Sequence, residues 1–367
     1  MQSKRAQPFR GCLCCSAPSP AAMPRRKFLA GVAATGLGAA ISGSSNRVAR
    51  ADTGRRLIDV HSHIVPPFYL AENRERIAGS RGGEISRAWL EWTPQQTVAA
   101  MNQHGVETAI LSLSTPGVWF GNVEEARATA RRINEYGAEL VRDHPGRFGL
   151  FAALPLPDTE GSLREIEYAL DVLRADGIGL LTSYGDKWLG DGAYRAVLEE
   201  LNRRKAVVFV HPTTPNCCRT LMPGIATVMA EVPQDTTRTI ISLLFSGTLA
   251  RLKDIRFIFC HAGGTVPIVA TRLTQYGPKD LTEKVPNGVE YELKRLYYDI
   301  AVSGHRPAIA ALTGLVPTSQ ILFGSDFPYR ALGETADTMP QIGLSEADLV
   351  AIGRDNALTL LPRLKAG

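Results

Sequence analysis

The chain has 367 residues, which is long for one compact domain but ordinary for an α/β barrel with insertions. Hydrophobic residues make up 44% and charged residues 21%, so the chain can bury a large core without a disulfide framework, and this composition excludes extensive disorder. The formal charge of +5 is spread along the chain and partly comes from its first 56 residues, so it does not indicate a nucleic-acid-binding surface.

Residues 1–51 are predicted to be a leader and not part of the fold. After Met23 the sequence has Arg25 and Arg26, then a Gly/Ala-rich apolar stretch, then small residues up to Ala51. This order resembles a bacterial twin-arginine export signal that starts at Met23 and is cleaved after Ala51. We therefore expect a periplasmic or secreted protein. The apolar stretch is too short and too rich in Gly to span a bilayer well, so we expect no stable membrane span, although a short membrane anchor is the alternative.

Residues 52–367 are predicted to form one (β/α)8 TIM barrel of the α/β class, because short apolar runs alternate with longer segments of helical period. A segment rich in Arg and Gly, Pro66–Trp92, is predicted to be an insertion over the mouth of the barrel. The predicted strands are Leu57–Val60, Thr108–Leu113, Phe148–Leu154, Ile178–Thr182, Ala206–Val210, Ile255–Cys260, Leu296–Ile300 and Gln320–Phe323. The predicted helices include Asn122–Asp143, Leu163–Arg174, Ala193–Arg204 and Thr236–Arg251.

A doubly wound open sheet has the same alternation and is the alternative architecture. A glycine-rich phosphate-binding loop after the first strand would favour that alternative. The first predicted strand instead continues into Asp59-Val60-His61-Ser62-His63, which has no glycine. The sequence therefore favours the closed barrel.

Four histidines and one aspartate lie at the ends of predicted strands. His61 and His63 follow the first strand, His211 the fifth, His261 the sixth and Asp326 the eighth. The carboxyl ends of parallel barrel strands meet at one mouth, so we expect these side chains to converge. Residues two apart on a strand face the same side, so His61 and His63 can both face one ion. Imidazoles with a carboxylate suit zinc, and also manganese or iron(II), with one coordination position left open.

The cysteines predict no disulfide. Cys217 and Cys218 are adjacent in the sequence and so poorly placed to bond to each other. Cys260 lies in an apolar strand pattern and is predicted to be a small core residue. Three further cysteines precede Met23, outside the predicted mature protein.

The segments that carry these residues resemble the amidohydrolase superfamily, and within it the branch similar to aminocarboxymuconate-semialdehyde decarboxylase. The resemblance extends from Leu57 to Leu364. Within the branch, the segments Ala175–Gly185, Asp235–Thr239 and His261–Thr265 are most similar to those of 6-methylsalicylate decarboxylases. The metal-binding segments of the superfamily are matched here by Ile58–Ile64, Val210–Pro212, Cys260–Gly264 and Phe323–Pro328.

This resemblance implies that His61, His63, His211 and Asp326 bind one divalent ion, zinc first and manganese as the alternative. His261 would be the acid/base group beside the ion, and Asp326 is the second candidate for proton delivery. Binuclear members of the superfamily carry a carboxylated lysine at the end of the fourth strand. The predicted fourth strand here ends without a lysine, so a single metal ion is expected.

The resemblance also implies non-oxidative decarboxylation of a small aromatic acid by a homodimer, with no nucleic-acid partner. Arg272, on the helix after His261, matches the position from which this branch contributes an arginine across the dimer interface to the substrate carboxylate. An ordinary surface role for Arg272 fits the sequence equally well. Arg238 is a weaker candidate for the same task, while Phe327 and Tyr329 would flank the aromatic ring.

Two other functions fit the same ligands. The ion could lower the pKa of a bound water, with His261 or Asp326 taking its proton, so that a lactone or an amide of a small acidic substrate is hydrolysed. A zinc-stabilised binding protein without turnover would leave no open coordination position. The predicted export signal also leaves the substrate open, because similar decarboxylases are not typically exported.

Overall fold

The computed structural model describes residues 56–80 and 85–366 of the chain. The predicted leader lies outside these residues, so the signal and its cleavage site stay predictions. None of the helices in the described part of the chain combines the length and the apolar composition that crossing a bilayer requires.

Eight parallel strands form the central sheet, and their order in the sheet follows their order in the chain. The last strand returns to the first, since Val60 N donates a hydrogen bond to Phe323 O (3.0 Å) and Ser62 pairs in parallel with Phe327. The predicted (β/α)8 barrel is thereby confirmed. The barrel strands are β1 (Leu57–His63), β2 (Val106–Ser112), β3 (Phe148–Ala153), β4 (Gly177–Leu181), β7 (Val207–His211), β8 (Arg256–Phe259), β9 (Tyr297–Asp299) and β10 (Ile321–Leu322), and a separate antiparallel hairpin pairs β5 (Ser183–Tyr184) with β6 (Lys187–Trp188).

The strands are buried and mostly apolar because both of their faces are covered, and the polar residues of β1 lie towards its carboxyl end. Every residue of β1, β3 and β7 is buried, as expected for parallel strands between a filled interior and an outer layer of helices. Aromatic rings fill the interior next to the predicted metal ligands. The Phe209 ring lies 5.0 Å from the His61 ring and stacks on Phe151 at 5.4 Å.

The helices form where the sequence predicts them, with shifted ends. The longest, α4, is capped by Asn122, whose side chain accepts a hydrogen bond from Glu125 N at 2.9 Å. The predicted helix Thr236–Arg251 is two helices, because Gly247 adopts a left-handed backbone (φ 71°) between them. The α-helices are α1 (Pro67–Ser80), α2 (Arg87–Leu90), α3 (Pro94–His104), α4 (Val123–Asp143), α5 (Thr159–Glu167), α6 (Arg195–Arg203), α7 (Glu231–Phe245), α8 (Thr248–Arg251), α9 (Val266–Gln275), α10 (Leu281–Lys284), α11 (Val289–Lys294), α12 (Arg306–Leu315), α13 (Gly333–Ala336), α14 (Glu346–Val350) and α15 (Asn356–Leu360).

The predicted insertion after the first strand contains α1 and α2 and packs against the mouth. Tyr69 Oη donates a hydrogen bond to Gly117 O at 2.6 Å. The buried Trp89 ring lies 5.4 Å from the Tyr329 ring, whose own centre is 5.2 Å from His63. The insertion therefore covers one side of the predicted metal centre.

Candidate metal centre

The carboxyl ends of β1 and β7 and the loop after β10 bring the four predicted metal ligands together. One ligand atom from each of His61, His63, His211 and Asp326 lies within 4.8 Å of the other three. Asp326 Oδ1 is 2.9 Å from His63 Nε2 and 3.3 Å from His61 Nε2. All four residues are buried, so they form one enclosed cluster from distant parts of the chain.

The cluster has the unsatisfied atoms that a cation would complete. His61 Nε2 and His261 Nε2 are buried and make no hydrogen bond of good geometry within the described residues, although Asp326 oxygens lie 3.3 and 3.6 Å away. Buried polar atoms without partners are costly, and native proteins rarely leave them so. Three imidazoles and a carboxylate are donors that zinc and manganese both accept. The residues therefore fit a divalent metal ion.

Each ligand imidazole has an acceptor at its other ring nitrogen. Such acceptors keep the proton on Nδ1 and direct the lone pair of Nε2 towards an ion. The acceptor atoms are Asp299 Oδ2 for His61 (2.9 Å), Ser112 O for His63 (3.2 Å) and Pro212 O for His211 (2.8 Å).

The electrostatics of three of the four cluster residues favour the protonation states that metal binding needs. Burial lowers the pKa of His63, and burial together with the neighbouring imidazoles lowers the pKa of His211 well below its usual range. Burial opposes the charge on Asp326, yet the surrounding histidines, His61 first, hold its pKa well below the ordinary value. Neutral imidazoles and an ionised carboxylate are the forms that bind a metal ion. His61 differs, because its acidic neighbours outweigh burial and raise its pKa.

The two predicted proton-transfer residues have an unusual backbone. His261 (φ 56°) and Asp326 (φ 64°) are both in the left-handed region, which costs a residue with a side chain about 1–2 kcal/mol. Strain of this kind persists where the surrounding structure enforces it, and it is common at functional sites. Asp326 N donates to His61 O at 2.8 Å, and His261 N donates to Asp299 Oδ1 at 3.1 Å. These bonds hold both residues in place beside the cluster.

Two buried carboxylates support the site and were missed by the sequence analysis. Asp299, the last residue of β9, holds both His61 and His261 as described above. Asp59 Oδ1 accepts from the backbone N–H of His61 and of Ser325, both at 3.0 Å, and its Oδ2 accepts from Ser325 Oγ at 2.5 Å. Burial raises the pKa of Asp59 to about 7. Asp59 lies on the strand that carries His61 and His63, and Asp299 ends a strand beside the one that precedes His261. These positions in the sequence could have indicated a role at the site.

The predicted substrate contacts are only partly brought to the cluster. Tyr329 lies at the site, with its ring 5.2 Å from His63, and the half-buried Phe327 directly follows Asp326. Arg238 on α7 instead pairs with Glu231 at 3.3 Å. Arg272 is exposed on α9, where its guanidinium lies 5.2 Å from the Tyr276 ring. Within one copy of the described residues, the contacts of Arg238 and Arg272 are with Glu231 and Tyr276 and not with the predicted metal ligands.

A cavity of about 380 Å³ opens at the loop that follows His211 and was not predicted from the sequence. It begins at Thr213, two residues beyond that ligand, and its size suits a small organic ligand. Its walls combine aromatic rings and hydroxyl groups with two arginines. They include Trp119, Phe120, Tyr184, Thr213, Asn216, Arg76 and Arg219.

Comparison with known proteins places the chain in a family. Residues 58–363 match the amidohydrolase family model. The decarboxylase macB of Penicillium terrestre is 36% identical over 84% of this chain and 95% of its own length. The 6-methylsalicylic acid decarboxylase of Penicillium expansum is 35% identical over 84% of this chain and 97% of its own length. The solved structure of an amidohydrolase II has a TM-score of 0.78 and 28% sequence identity, and the match covers 83% of this chain and 99% of that one. The solved structure of a manganese-bound dihydroxybenzoic acid decarboxylase from Polaromonas sp. JS666 has a TM-score of 0.72 and 24% sequence identity, and the match covers 84% of this chain and 97% of that one. The chain belongs to the amidohydrolase family.

Proposed function

We propose that the protein is a metal-dependent, non-oxidative decarboxylase of a small hydroxybenzoate similar to 6-methylsalicylate. The observation that carries the proposal is His261, whose buried Nε2 lies 3.6 Å from Asp326 Oδ2 and has no hydrogen-bond partner among the described residues. A proton-transfer group thus stands directly beside the metal-binding cluster. Decarboxylases at 35–38% identity support the same reaction type.

The reaction replaces a carboxylate on the ring by a proton. His261 Nε2 donates a proton to the ring carbon that bears the carboxylate, with Asp326 as the second candidate donor. The carbon–carbon bond then breaks, carbon dioxide leaves, and the bonding electron pair restores the aromatic ring. The Asp326 carboxylate stabilises the His261 imidazolium before transfer. When bound, the ion would neutralise the substrate's carboxylate and phenolate oxygens and hold the ring in place.

We infer zinc as the resident ion, with manganese as the alternative. Three imidazoles in a buried set with one carboxylate are typical of zinc, while manganese accepts the same donors when further oxygen ligands complete its shell. The Polaromonas decarboxylase holds manganese. Elemental analysis of protein purified without added metal decides between the two ions.

The cation for the substrate carboxylate is proposed to come from Arg272 of a second copy of the chain, with Arg238 as the weaker candidate. Arg272 lies between exposed apolar residues on its own helix, a surface that a partner could cover. Further exposed apolar side chains follow the cavity loop. Ile268 and Tyr276 flank Arg272, while Leu221, Met222, Ile225, Val228 and Met229 follow the cavity loop.

Mixing two inactive variants tests the shared site. Arg272→Ala lacks the donated cation and His261→Ala lacks the proton donor, so each homodimer should be inactive. A heterodimer of the two contains one complete site and should regain part of the activity. Light scattering that gives a monomer, or mixing that restores no activity, would contradict the homodimer proposal.

Export by the twin-arginine route also stays a proposal. Replacement of both Arg25 and Arg26 by Lys should retain the protein in the cytoplasm, whereas the unmodified chain should be recovered from the periplasm or the medium. Equal distribution of both proteins would contradict it.

A substrate panel tests the proposed reaction. Purified, metal-analysed protein is assayed with hydroxybenzoates for carbon dioxide release, and with lactones and amides for hydrolysis. We expect carbon dioxide from a 2-hydroxybenzoate, with 6-methylsalicylate among the best substrates, and none after His261→Ala. Lactone or amide turnover without carbon dioxide from any acid would replace the decarboxylase by the hydrolase alternative.

A further inference from the structure

Two adjacent thiols face each other in the loop that follows β7. Cys217 and Cys218 lie in the short 3-10 turn Asn216–Cys218, and their Sγ atoms are 2.6 Å apart. Both are free thiols, and Cys217 is exposed while Cys218 is buried. Adjacent cysteines are predicted from the sequence to be poorly placed for bonding. The turn overcomes this, because it brings the two sulfurs to one side of the backbone.

We propose that Cys217 and Cys218 are a redox-active pair that a low-molecular-weight disulfide, of the oxidised glutathione class, converts to an intramolecular disulfide. The Cys217 thiolate attacks the reagent and releases one thiolate. The Cys218 sulfur, after losing its proton, attacks the Cys217 sulfur and expels the second thiolate of the reagent. The pair loses two electrons and two protons, and the reagent disulfide is reduced to two thiols.

The surroundings assign different tasks to the two sulfurs. Cys217 is exposed and is therefore the sulfur that the reagent meets first. The hydrogen bond with Cys217, together with burial, raises the pKa of the Cys218 thiol to about 11. Arg238 and Glu231 lie within electrostatic range of that thiol and oppose each other's effect. Cys218 is thus suited to resolve a mixed disulfide at contact distance, where proximity compensates for its low thiolate fraction.

Closing a bond between neighbouring residues produces a strained and easily reduced disulfide. Adjacent Cα atoms are about 3.8 Å apart, which is shorter than the separation of most disulfide-bonded residues. Strained and exposed disulfides have high reduction potentials and belong to the labile, regulatory kind. The pair is therefore suited to a reversible response and not to stabilising the fold.

The turn that carries the thiols also forms part of the wall of the cavity at the loop after β7. Pro215, Asn216 and Arg219 line the cavity, and Cys218 N donates to Pro215 O at 3.0 Å within the same turn. Oxidation draws the two sulfurs together and reshapes this turn. We expect the change to reach the cavity and alter substrate affinity; this step, unlike the thiol chemistry, rests on the proposed function.

Peptide mass spectrometry tests the bond itself. The full chain is equilibrated with oxidised and reduced glutathione at several ratios, alkylated, and digested with trypsin. One tryptic peptide, 206–219, holds both thiols and no other cysteine, and Cys260 falls in a separate peptide, 257–272, that serves as reference. We expect the first peptide to become two hydrogens lighter and resistant to alkylation as the ratio rises, and to recover with dithiothreitol. Two alkylated thiols at every ratio would overturn the proposal.

Two single variants test the order of the steps. Cys218→Ser should accumulate a stable glutathione adduct on Cys217, because no second sulfur can expel it. Cys217→Ser should stay unmodified in the folded protein, because the remaining thiol is buried. The same adduct yield in both variants would contradict the assigned tasks.

Kinetics then test the link to the cavity. Oxidation should change KM for the accepted benzoate several-fold with a smaller change in kcat, and Cys217→Ser, which stays unmodified, should lose this response to oxidation and reduction. Unchanged kinetics in a fully oxidised sample would refute the link while leaving the disulfide established. Absence of decarboxylation would refute the proposed function, and the mass measurement would still decide the fate of the thiols.

Discussion

Asp299 binds His61 and His261 with its two carboxylate oxygens. Oδ2 lies 2.9 Å from His61 Nδ1, and Oδ1 accepts the backbone N–H of His261 at 3.1 Å. One side chain at the end of β9 therefore orients a metal ligand and also holds the proposed proton donor. Burial is the largest single effect on the Asp299 carboxyl and raises its pKa, but His61 and His261 together lower that pKa by more, so the charge is maintained despite full burial.

Asp299→Asn should weaken metal binding by roughly ten- to one-hundred-fold, the range found for second partners of metal-ligating histidines. The amide lacks the charge that fixes the His61 tautomer and increases its basicity. Chelator competition at neutral pH measures the affinity. Glu165→Gln, in a buried carboxylate of α5 that bonds Arg131 and Asn134, is the matched control and should leave the metal affinity unchanged. Equal metal affinity in Asp299→Asn and the unmodified protein would contradict the assigned role.

Removal of the metal should lower the stability of the barrel. An ion that binds only the folded state contributes about 2.7 kcal/mol when its free concentration is one hundred times its Kd. The melting temperature should therefore fall on dialysis against a chelator and recover when zinc or manganese is restored. A His63→Ala/Asp326→Ala double variant should show little response to either ion. A melting temperature that is independent of metal in the unmodified protein would count against a bound ion.

The sequence predicted the eight strands and the meeting of the ligands because both depend on local patterns. A histidine at the end of an apolar run is visible in the sequence, and the barrel brings such ends together whatever the details of packing. Asp299 and Asp59 were missed for the opposite reason. Their roles depend on which atoms face each other across neighbouring strands, and those contacts are visible only in the tertiary structure.

The substrate side of the site was predicted least well. Arg76 lies on the insertion helix α1 and Arg219 on the loop after β7, and the paths of both segments depend on tertiary packing. Arg76 also pairs with Glu125 and lies 4.9 Å above the Phe120 ring. Arg272 was suggested only by the family resemblance, because no local pattern in one chain shows which residues reach a neighbouring subunit.

Ser325→Ala should destabilise the fold by about 1–3 kcal/mol, the cost of leaving a buried polar group unpaired. Ser325 Oγ donates to Asp59 Oδ2 at 2.5 Å and accepts from Phe327 N at 3.1 Å, so one hydroxyl joins β1 to the loop that carries Asp326. The metal affinity should fall in parallel, since that loop sets the carboxylate position. Urea unfolding of the metal-free proteins isolates the stability effect. Unchanged unfolding with weaker metal binding would show that the hydroxyl orients the site without stabilising the barrel.

The Arg127–Asp158 pair should give the fold an acid-sensitive contribution that does not involve the metal ligands. Arg127 Nε lies 2.5 Å from Asp158 Oδ2, and this bond lowers the pKa of the Asp158 carboxyl. A carboxyl with a depressed folded-state pKa contributes stability that is complete above its unfolded pKa, about 3.9, and is lost as the pH falls through the folded value.

Asp158→Asn separates this charge from the helix cap that the same side chain provides. Asp158 Oδ2 accepts from Gly161 N at 3.1 Å at the start of α5, and an amide oxygen can keep that bond. Asp158→Asn should therefore lose about 0.5–1 kcal/mol at neutral pH, and Asp158→Ala about 1 kcal/mol more. Urea unfolding measures the difference in free energy of unfolding between Asp158→Asn and the unmodified protein. This difference should be constant down to about pH 5 and should shrink towards about pH 3. A gap that stays the same on acidification would mean that the ion pair contributes nothing and that the cap alone stabilises the helix.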